Sequence, residues 1–261
     1  MRLFFRNLGI LAACAFAAGA QGSCDNLFKP INNVGTNSAG GYYTGSFTDA
    51  STGQAGSVVA IVTENGRGKI EQQFADGSIA ILDVPDFGTG SGRYTASFTR
   101  YGSILGLPSA PGTMTGIVTP RRAINANFNI PGLSSSGTLS LAFNLQQYTL
   151  PAALKTLRGT YGFSYLNDSG LNGTATIAID DSGKLTGTDT LNCRYSGTLA
   201  VLDSDFNAYG GSFTRTCPQI ESVFDVLGTY FAQQLTGTRD SLFLLGTDAA
   251  NQRAAAFSLQ R

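Results

Sequence analysis

Histidine and tryptophan are absent from this 261-residue chain, methionine occurs twice, and charged residues make up only 13%. Each shortage removes a class of chemistry. Without histidine there is no Ser-His-Asp or Cys-His arrangement, the commonest general base is missing, and most transition-metal sites lose their usual ligand. The four cysteines lack zinc-ligand spacing, and no glycine-rich phosphate loop precedes a helix. No metal and no cofactor is therefore expected. A basic excess is lacking too. The chain carries 17 basic and 17 acidic residues, and removing Arg2 and Arg6 with a leader leaves 15 against 17. Such a balance offers nucleic acid no field to bind to. Long apolar runs are also missing. The stretch from Leu8 to Ala18 is about half of the ~20 residues a spanning helix needs, and later segments are shorter still.

What is plentiful is glycine, 33 residues of it, which together with the low charge suits a turn-rich all-β protein. Much of the chain also says the same thing twice. Gly41-Tyr42-Tyr43-Thr44-Gly45-Ser46-Phe47-Thr48 is answered by Gly159-Thr160-Tyr161-Gly162-Phe163-Ser164. Gly77-Ser78-Ile79-Ala80-Ile81-Leu82-Asp83 is answered by Gly197-Thr198-Leu199-Ala200-Val201-Leu202-Asp203, and Ser97-Phe98-Thr99-Arg100 by Ser212-Phe213-Thr214-Arg215. A repeat of about 115 residues is too long for a solenoid unit, so each copy is expected to be a domain.

Within the copies, Tyr43, Gly45 and Phe47 alternate with Thr44, Ser46 and Thr48, and Ile124, Ala126, Phe128 and Ile130 alternate with Asn125, Asn127 and Asn129. That period of two marks strands with one dry face. Val58, Ala60 and Val62 align with Ala175, Ile177 and Ile179; Ile79 and Ile81 align with Leu199 and Val201. All of these are expected to point inward. Glu64-Asn65-Gly66, Asp76-Gly77 and Asp181-Ser182-Gly183 read as hairpin turns, since these residues tolerate positive φ. The pattern predicts about eight short strands per copy. Closing them into two tandem up-and-down antiparallel barrels would remove exposed edges; paired sandwiches are the alternative.

Two stretches depart from strand texture. Ile220, Val223, Phe224 and Leu227, between Pro218 and Gly228, have helical spacing with a start and a stop, predicting a short helix across a barrel mouth of the second copy. The matching stretch from Gly102 to Gly112 contains Gly106, Pro108 and Pro111 and is expected to be an irregular loop. The domain reading is a signal peptide over 1–20 (to 23 if of lipoprotein type), a tether over 21–40, β-barrel repeats over 41–147 and 158–261, and a linker over 148–157 with a helical turn after Pro151.

The leader has a positive start, Met1-Arg2-Leu3-Phe4-Phe5-Arg6, ahead of its apolar stretch. Ala18-Gly19-Ala20 fits ordinary cleavage before Gln21, whereas Leu11-Ala12-Ala13-Cys14 and Ser23-Cys24 resemble sites of lipidation. Cys193 and Cys217 lie symmetrically about Asp205 in the turn-like run Asp203-Ser204-Asp205-Phe206-Asn207, so in an antiparallel hairpin they face each other. An exported protein can keep that disulfide. Cys24 is then left single beside a polar tether. It reads either as a lipid anchor, shared as a candidate with Cys14, or as a free thiol.

Carboxylates are the remaining candidates for acid–base work: Asp83 and Asp86, Asp180 and Asp181, Asp203 and Asp205. Their turn-like settings favour local hydrogen bonding over catalysis, and Asp180-Asp181-Ser182-Gly183 lacks the alternating oxygens of a calcium loop. No catalytic residue is assigned. Arg121-Arg122 could meet an anionic lipid or glycan but reads more simply as a solvated turn. The Asn125, Asn127 and Asn129 face could hydrogen-bond a sugar, and Tyr42, Tyr43, Tyr94 and Tyr161 read first as packing residues.

The Gly-x-Tyr openings, the Cys193-Arg194-Tyr195-Ser196-Gly197 segment and the distant Cys217 resemble bacterial envelope lipoproteins with tandem Gly/Tyr-rich β-domains. The pattern is more distantly similar to the small barrels of transferrin-binding-protein-B-like surface lipoproteins. The resemblance covers residues 41 to 260 and implies fold and location, with no functional residue carried over. The resulting expectation is a non-enzymatic protein of the bacterial cell envelope. It would be held to a membrane by an N-terminal lipid or be periplasmic or secreted, and would act as a binding module toward a protein or small molecule. A carboxylate-based hydrolase and a purely structural envelope protein are the alternatives.

Overall fold

The alternating pattern and its turns become sixteen strands in a computed structural model that describes residues 38–88, 92–102, 109–166, 172–232 and 239–261, leaving aside the side chains of Leu166 and Asn172. The export signal, Cys14, Cys24, residues 21–37 of the tether and residues 103–108 of the expected loop lie outside the described residues. The strands are β1 (Gly41–Asp49), β2 (Ala55–Val62), β3 (Gly68–Phe74), β4 (Ile79–Val84), β5 (Gly92–Gly102), β6 (Ala110–Thr119), β7 (Ala123–Ile130) and β8 (Ser135–Phe143), then β9 (Gly159–Leu166), β10 (Asn172–Ile179), β11 (Lys184–Asp189), β12 (Arg194–Asp203), β13 (Ala208–Thr216), β14 (Glu221–Phe231), β15 (Ser241–Asp248) and β16 (Arg253–Gln260). Between β8 and β9 stand two single-turn helices, α1 (Leu145–Tyr148) and α2 (Leu154–Leu157). The second of these is the turn expected after Pro151.

Each of β1 to β8 pairs antiparallel with its sequence neighbours, and β1 also pairs with β8 from Tyr43 opposite Phe143 to Asp49 opposite Gly137. The first half is thus a closed eight-stranded antiparallel barrel, in which no strand keeps a free edge. Its hairpins fall where Asn, Asp and Gly stand; Gly66, for example, sits at φ +87°. Tyr43, Phe47, Val58, Ala60, Val62, Ile124 and Phe128 fill the interior as the alternation predicts. Asn125, Asn127 and Asn129 face out. Tyr43 donates its hydroxyl to the carbonyl of Ala39 at 2.8 Å, and Tyr161 repeats this with Leu157 at 2.8 Å. Ala39 is itself a core residue, so the end of the predicted tether is packed structure.

Strands β9 to β15 continue as an antiparallel run in sequence order, and β16 pairs along its length with β15. On its other side β16 meets β9 at one pair, Gln260 opposite Gly162, and β5 at one parallel pair, Arg253 opposite Gly102. The interior of this half holds Tyr161, Ile177, Tyr195, Leu199, Phe213, Phe224, Phe257 and Leu259.

Four expectations are corrected. The stretch from Pro218 to Leu227 is no helix. Cys217 N–H bonds Ile220 C=O in a tight turn, and β14 follows. Its interior face is Phe224 and Val226, while Leu227 is fully buried on the opposite face. Burial on both faces erased the period of two and left a spacing that looks helical. Ile79 and Ile81 do not point inward. Leu82 and Val84 join the first core, whereas Ile81, paired with Glu71, lies on the outer face and is fully buried there. A one-residue offset from the second copy reverses the face of every side chain in the strand. Pro111 and Gly112, expected in an irregular loop, are part of β6. The predicted turn aspartate Asp83 lies within β4.

The described residues form one compact unit, because the outer faces of β2 to β4 pack on β14 and β15. Ile61, Ile81, Leu227 and Leu245 are each at most 1% exposed yet belong to neither interior cluster; Tyr42 meets Phe231 edge-on at 5.6 Å. The helix α1 is fastened into this seam. Gln147 Nε2 donates to Thr229 Oγ1 and Tyr230 C=O, and Asn207 bonds Gln147 C=O and both Tyr230 backbone groups.

Candidate functional site

The single β9–β16 pair leaves a cleft between these strands. A cavity of about 360 Å³ opens there, lined by Phe163, Ser164 and Tyr165 of β9, Arg253 to Phe257 of β16, Tyr195, Arg215, Ser222 and Phe224 from the sheet behind, and Gly77 and Ile79 of the first half. The register explains the polar wall. Tyr195 of β12 stands opposite Arg215 of β13, which stands opposite Ser222 of β14. The next inward row is Gly197, Phe213 and Phe224. Gly197 is needed there, since a Cβ would lie 2.3 Å from the Ser212 carbonyl oxygen.

Asp189, whose side chain is fully buried, organises this wall. It accepts Tyr165 Oη–H at 2.5 Å, Tyr195 Oη–H at 3.0 Å, Arg215 Nη2–H at 3.1 Å and the backbone N–H groups of Leu191 and Cys193 at 2.9 Å each. Burial pushes its carboxyl up, but these bonds outweigh burial and hold it below the usual range. Burial also raises the Tyr165 and Tyr195 hydroxyls, so both remain proton donors. The Arg215 guanidinium lies 5.1 Å from the Tyr165 ring centre and 5.9 Å from that of Tyr195. Phe163, Phe213, Phe224 and Phe257 form a continuous aromatic floor with centroid spacings of 5.0 to 5.8 Å.

The predicted disulfide joins Cys193 to Cys217, Cα atoms 4.2 Å apart, one residue beyond the Arg194–Thr216 pair. It closes the β12–β13 hairpin about the expected centre. It also fixes Cys193, whose N–H bonds Asp189, so the staple and the polar wall are mechanically joined.

A second group lies at the seam. Glu64 accepts Arg121 Nη2–H at 2.8 Å and Tyr148 Oη–H at 2.7 Å. The Arg121 guanidinium sits 4.6 Å from the Phe206 ring centre and 5.1 Å from that of Tyr148. The expected solvated basic pair is therefore split, with Arg121 enclosed by aromatics and Arg122 exposed. A cavity of about 200 Å³ beside it is lined by Glu64, Asn65, Arg67, Tyr148 and Asp203. Deeper in the seam, fully buried Lys69 bonds Asp83 at 3.0 Å, Asp225 at 3.1 Å and Thr247 Oγ1 at 2.6 Å, and Arg67 also bonds Asp225.

The other predicted carboxylates stay apart. Asp86 and Asp180 cap their own turns, Asp181 pairs with Arg158 at the surface, and Asp203 accepts the Asp205 N–H. Among the described residues no group of three or more metal-ligating side chains converges. Sequence reasoning missed Asp189, Lys69, Glu64 and Asp225. Arg215 carried a signal, since it ends the repeated Ser-Phe-Thr-Arg run, and Arg100 at the matching place also lies in the field of an aspartate, Asp49. Tyr42, Tyr43, Tyr94 and Tyr161 pack as expected, and the cavities use Tyr148, Tyr165 and Tyr195 instead. Comparison with models of protein families, with curated proteins and with solved structures yields no match for this chain.

Proposed function

We propose that this chain is an exported, non-enzymatic protein of the bacterial cell envelope, with an N-terminal lipid on Cys24 or Cys14 and two barrels that serve as a binding module. In this reading β9 to β16 form the second barrel, closed at Gln260 and Gly162 and parted beyond them. The resemblance in the Gly-x-Tyr openings and the Cys193 segment supports the location, and a disulfide suits an oxidising compartment. The observation that carries the binding role is the cleft itself. It joins an aromatic floor to one pinned cation, the mix of apolar lining and few fixed polar groups found in ligand sites. Its acid, Asp189, is enclosed by five donor groups and is not placed for proton transfer.

The hydrolase alternative rests on Glu64 and Asp203, which share the seam cavity. Glu64 is already committed to Arg121 and Tyr148, which weighs against it as a free acid or base. The location is tested by the intact mass of the protein from membrane and soluble envelope fractions of its host. An acylated chain beginning at Cys24 or Cys14 is the expected result. An unmodified chain beginning at Gln21 would replace the anchor with a periplasmic or secreted binder, and one that keeps Met1 would overturn export.

A further inference from the structure

We infer that the β9–β16 cleft binds a small monocarboxylic acid with an aromatic or branched apolar body; this rests on reading the cleft as a ligand site and adds what enters it. Two observations converge on the charged end. Arg215 is held in place through Nε and Nη2 by Asp189, Tyr195 and Tyr165, while its Nη1 donates to no described residue. Ser222, 3% exposed and a lining residue of the cleft, likewise directs its hydroxyl to no described partner. The wall therefore offers donors without acceptors among the described residues, beside a fixed positive charge. A carboxylate, planar with two acceptor oxygens, matches that set. Two guanidinium groups, of Arg215 and Arg253, line the cleft and the buried Asp189 offsets the charge of the first, a balance that suits a single negative charge better than a phosphate dianion.

The rest of the cleft is apolar. Phe163, Phe224 and Phe257 present ring faces and edges, which favour a ring or a branched chain on the ligand. Ala254, Ala255 and Ala256 of β16 leave the space open. About 360 Å³ is roughly the volume of a dozen waters, which limits the ligand to a small molecule. The Gly77–Ile79 edge of the first half closes one side, so the site depends on both halves.

The test is calorimetric titration of the full-length protein at neutral pH with 4-phenylbutyrate and with its neutral analogue 4-phenylbutyramide. The acid should bind at least about tenfold tighter than the amide, a difference of ~1.4 kcal/mol. Ala255→Leu, which narrows the cleft without touching the Asp189 network, should weaken both probes by about tenfold. The paired change Arg215→Gln with Asp189→Asn should abolish the preference for the acid. Equal binding of acid and amide, or a preference that survives the paired change, overturns the carboxylate assignment and leaves the cleft as an apolar site. Failure of both probes to bind the folded protein, or binding that Ala255→Leu does not weaken, overturns the cleft reading and the assignment together.

Discussion

Glu71 sits on the outer face of β3, 8% exposed, and forms no hydrogen bond or ion pair with a described residue. Burial raises its carboxyl from the ordinary 4.5 to about 7, and burial, with a smaller push from the Glu71 charge, raises the Tyr42 hydroxyl to about 12. Because the folded value lies above the unfolded one, the folded protein holds this proton more tightly. Its contribution is therefore complete below pH 4.5 and is lost as pH rises to about 7. Glu71→Gln is expected to stabilise the protein by about 3 kcal/mol above pH 7 and to leave stability near pH 4 almost unchanged. Urea midpoints of both proteins across that range measure the effect; equal curves would show that Glu71 is solvated. Lys69, two residues earlier on the same face, is the opposite case, since its buried charge is met by Asp83, Asp225 and Thr247.

Among the elements, the β12–β13 hairpin is the one stapled by a covalent bond. Cys193 and Cys217, 24 residues apart, restrict the unfolded chain, and losing the bond should cost about 3 kcal/mol in the chain-entropy model. Cys193→Ser with Cys217→Ser is expected to lower the unfolding free energy measured by urea denaturation by that amount. Because Asp189 also accepts the Cys193 N–H, the same variant should speed hydrogen exchange at Leu191 and at position 193 more than at Ile124 in the closed barrel. Uniform acceleration would mean that the bond acts on global stability alone. This hairpin was legible in the sequence because both its centre, Asp205, and its staple are local. The next strand, β14, was not. Its Leu227 is buried by contact with strands more than a hundred residues away, and no window on β14 itself contains that partner.

At the largest scale, the sixteen strands are held as one unit by the apolar seam of Ile61, Ile81, Leu227 and Leu245. An aspartate at Ile81 would place an unpaired charge in that seam, so Ile81→Asp should destabilise the protein by about 3 kcal/mol or more. Ile117, 50% exposed on β6, serves as the comparison: Ile117→Asp should change stability by less than about 0.5 kcal/mol. Equal effects would show that the seam does not support the fold. The seam also brings Gly77 and Ile79 to the cleft, so its loosening is expected to weaken ligand binding along with stability.

By itself the sequence determined the all-β class, the interior residues of β1, β2, β7 and β10, the hairpin positions and the disulfide. All of these follow from periodicity, turn chemistry or symmetry within a short stretch of chain. Tertiary structure alone decided the rest. It buried the outer faces of β4 and β14, turned a helical spacing into a strand, and enclosed Arg121 among Phe143, Tyr148 and Phe206. It also gathered Tyr165, Asp189, Tyr195, Arg215 and Ser222 from five strands into one wall. The physical reason is that alternation reports which residues are apolar, while the face that meets another sheet, and the charges it must neutralise, depend on partners distant in the chain.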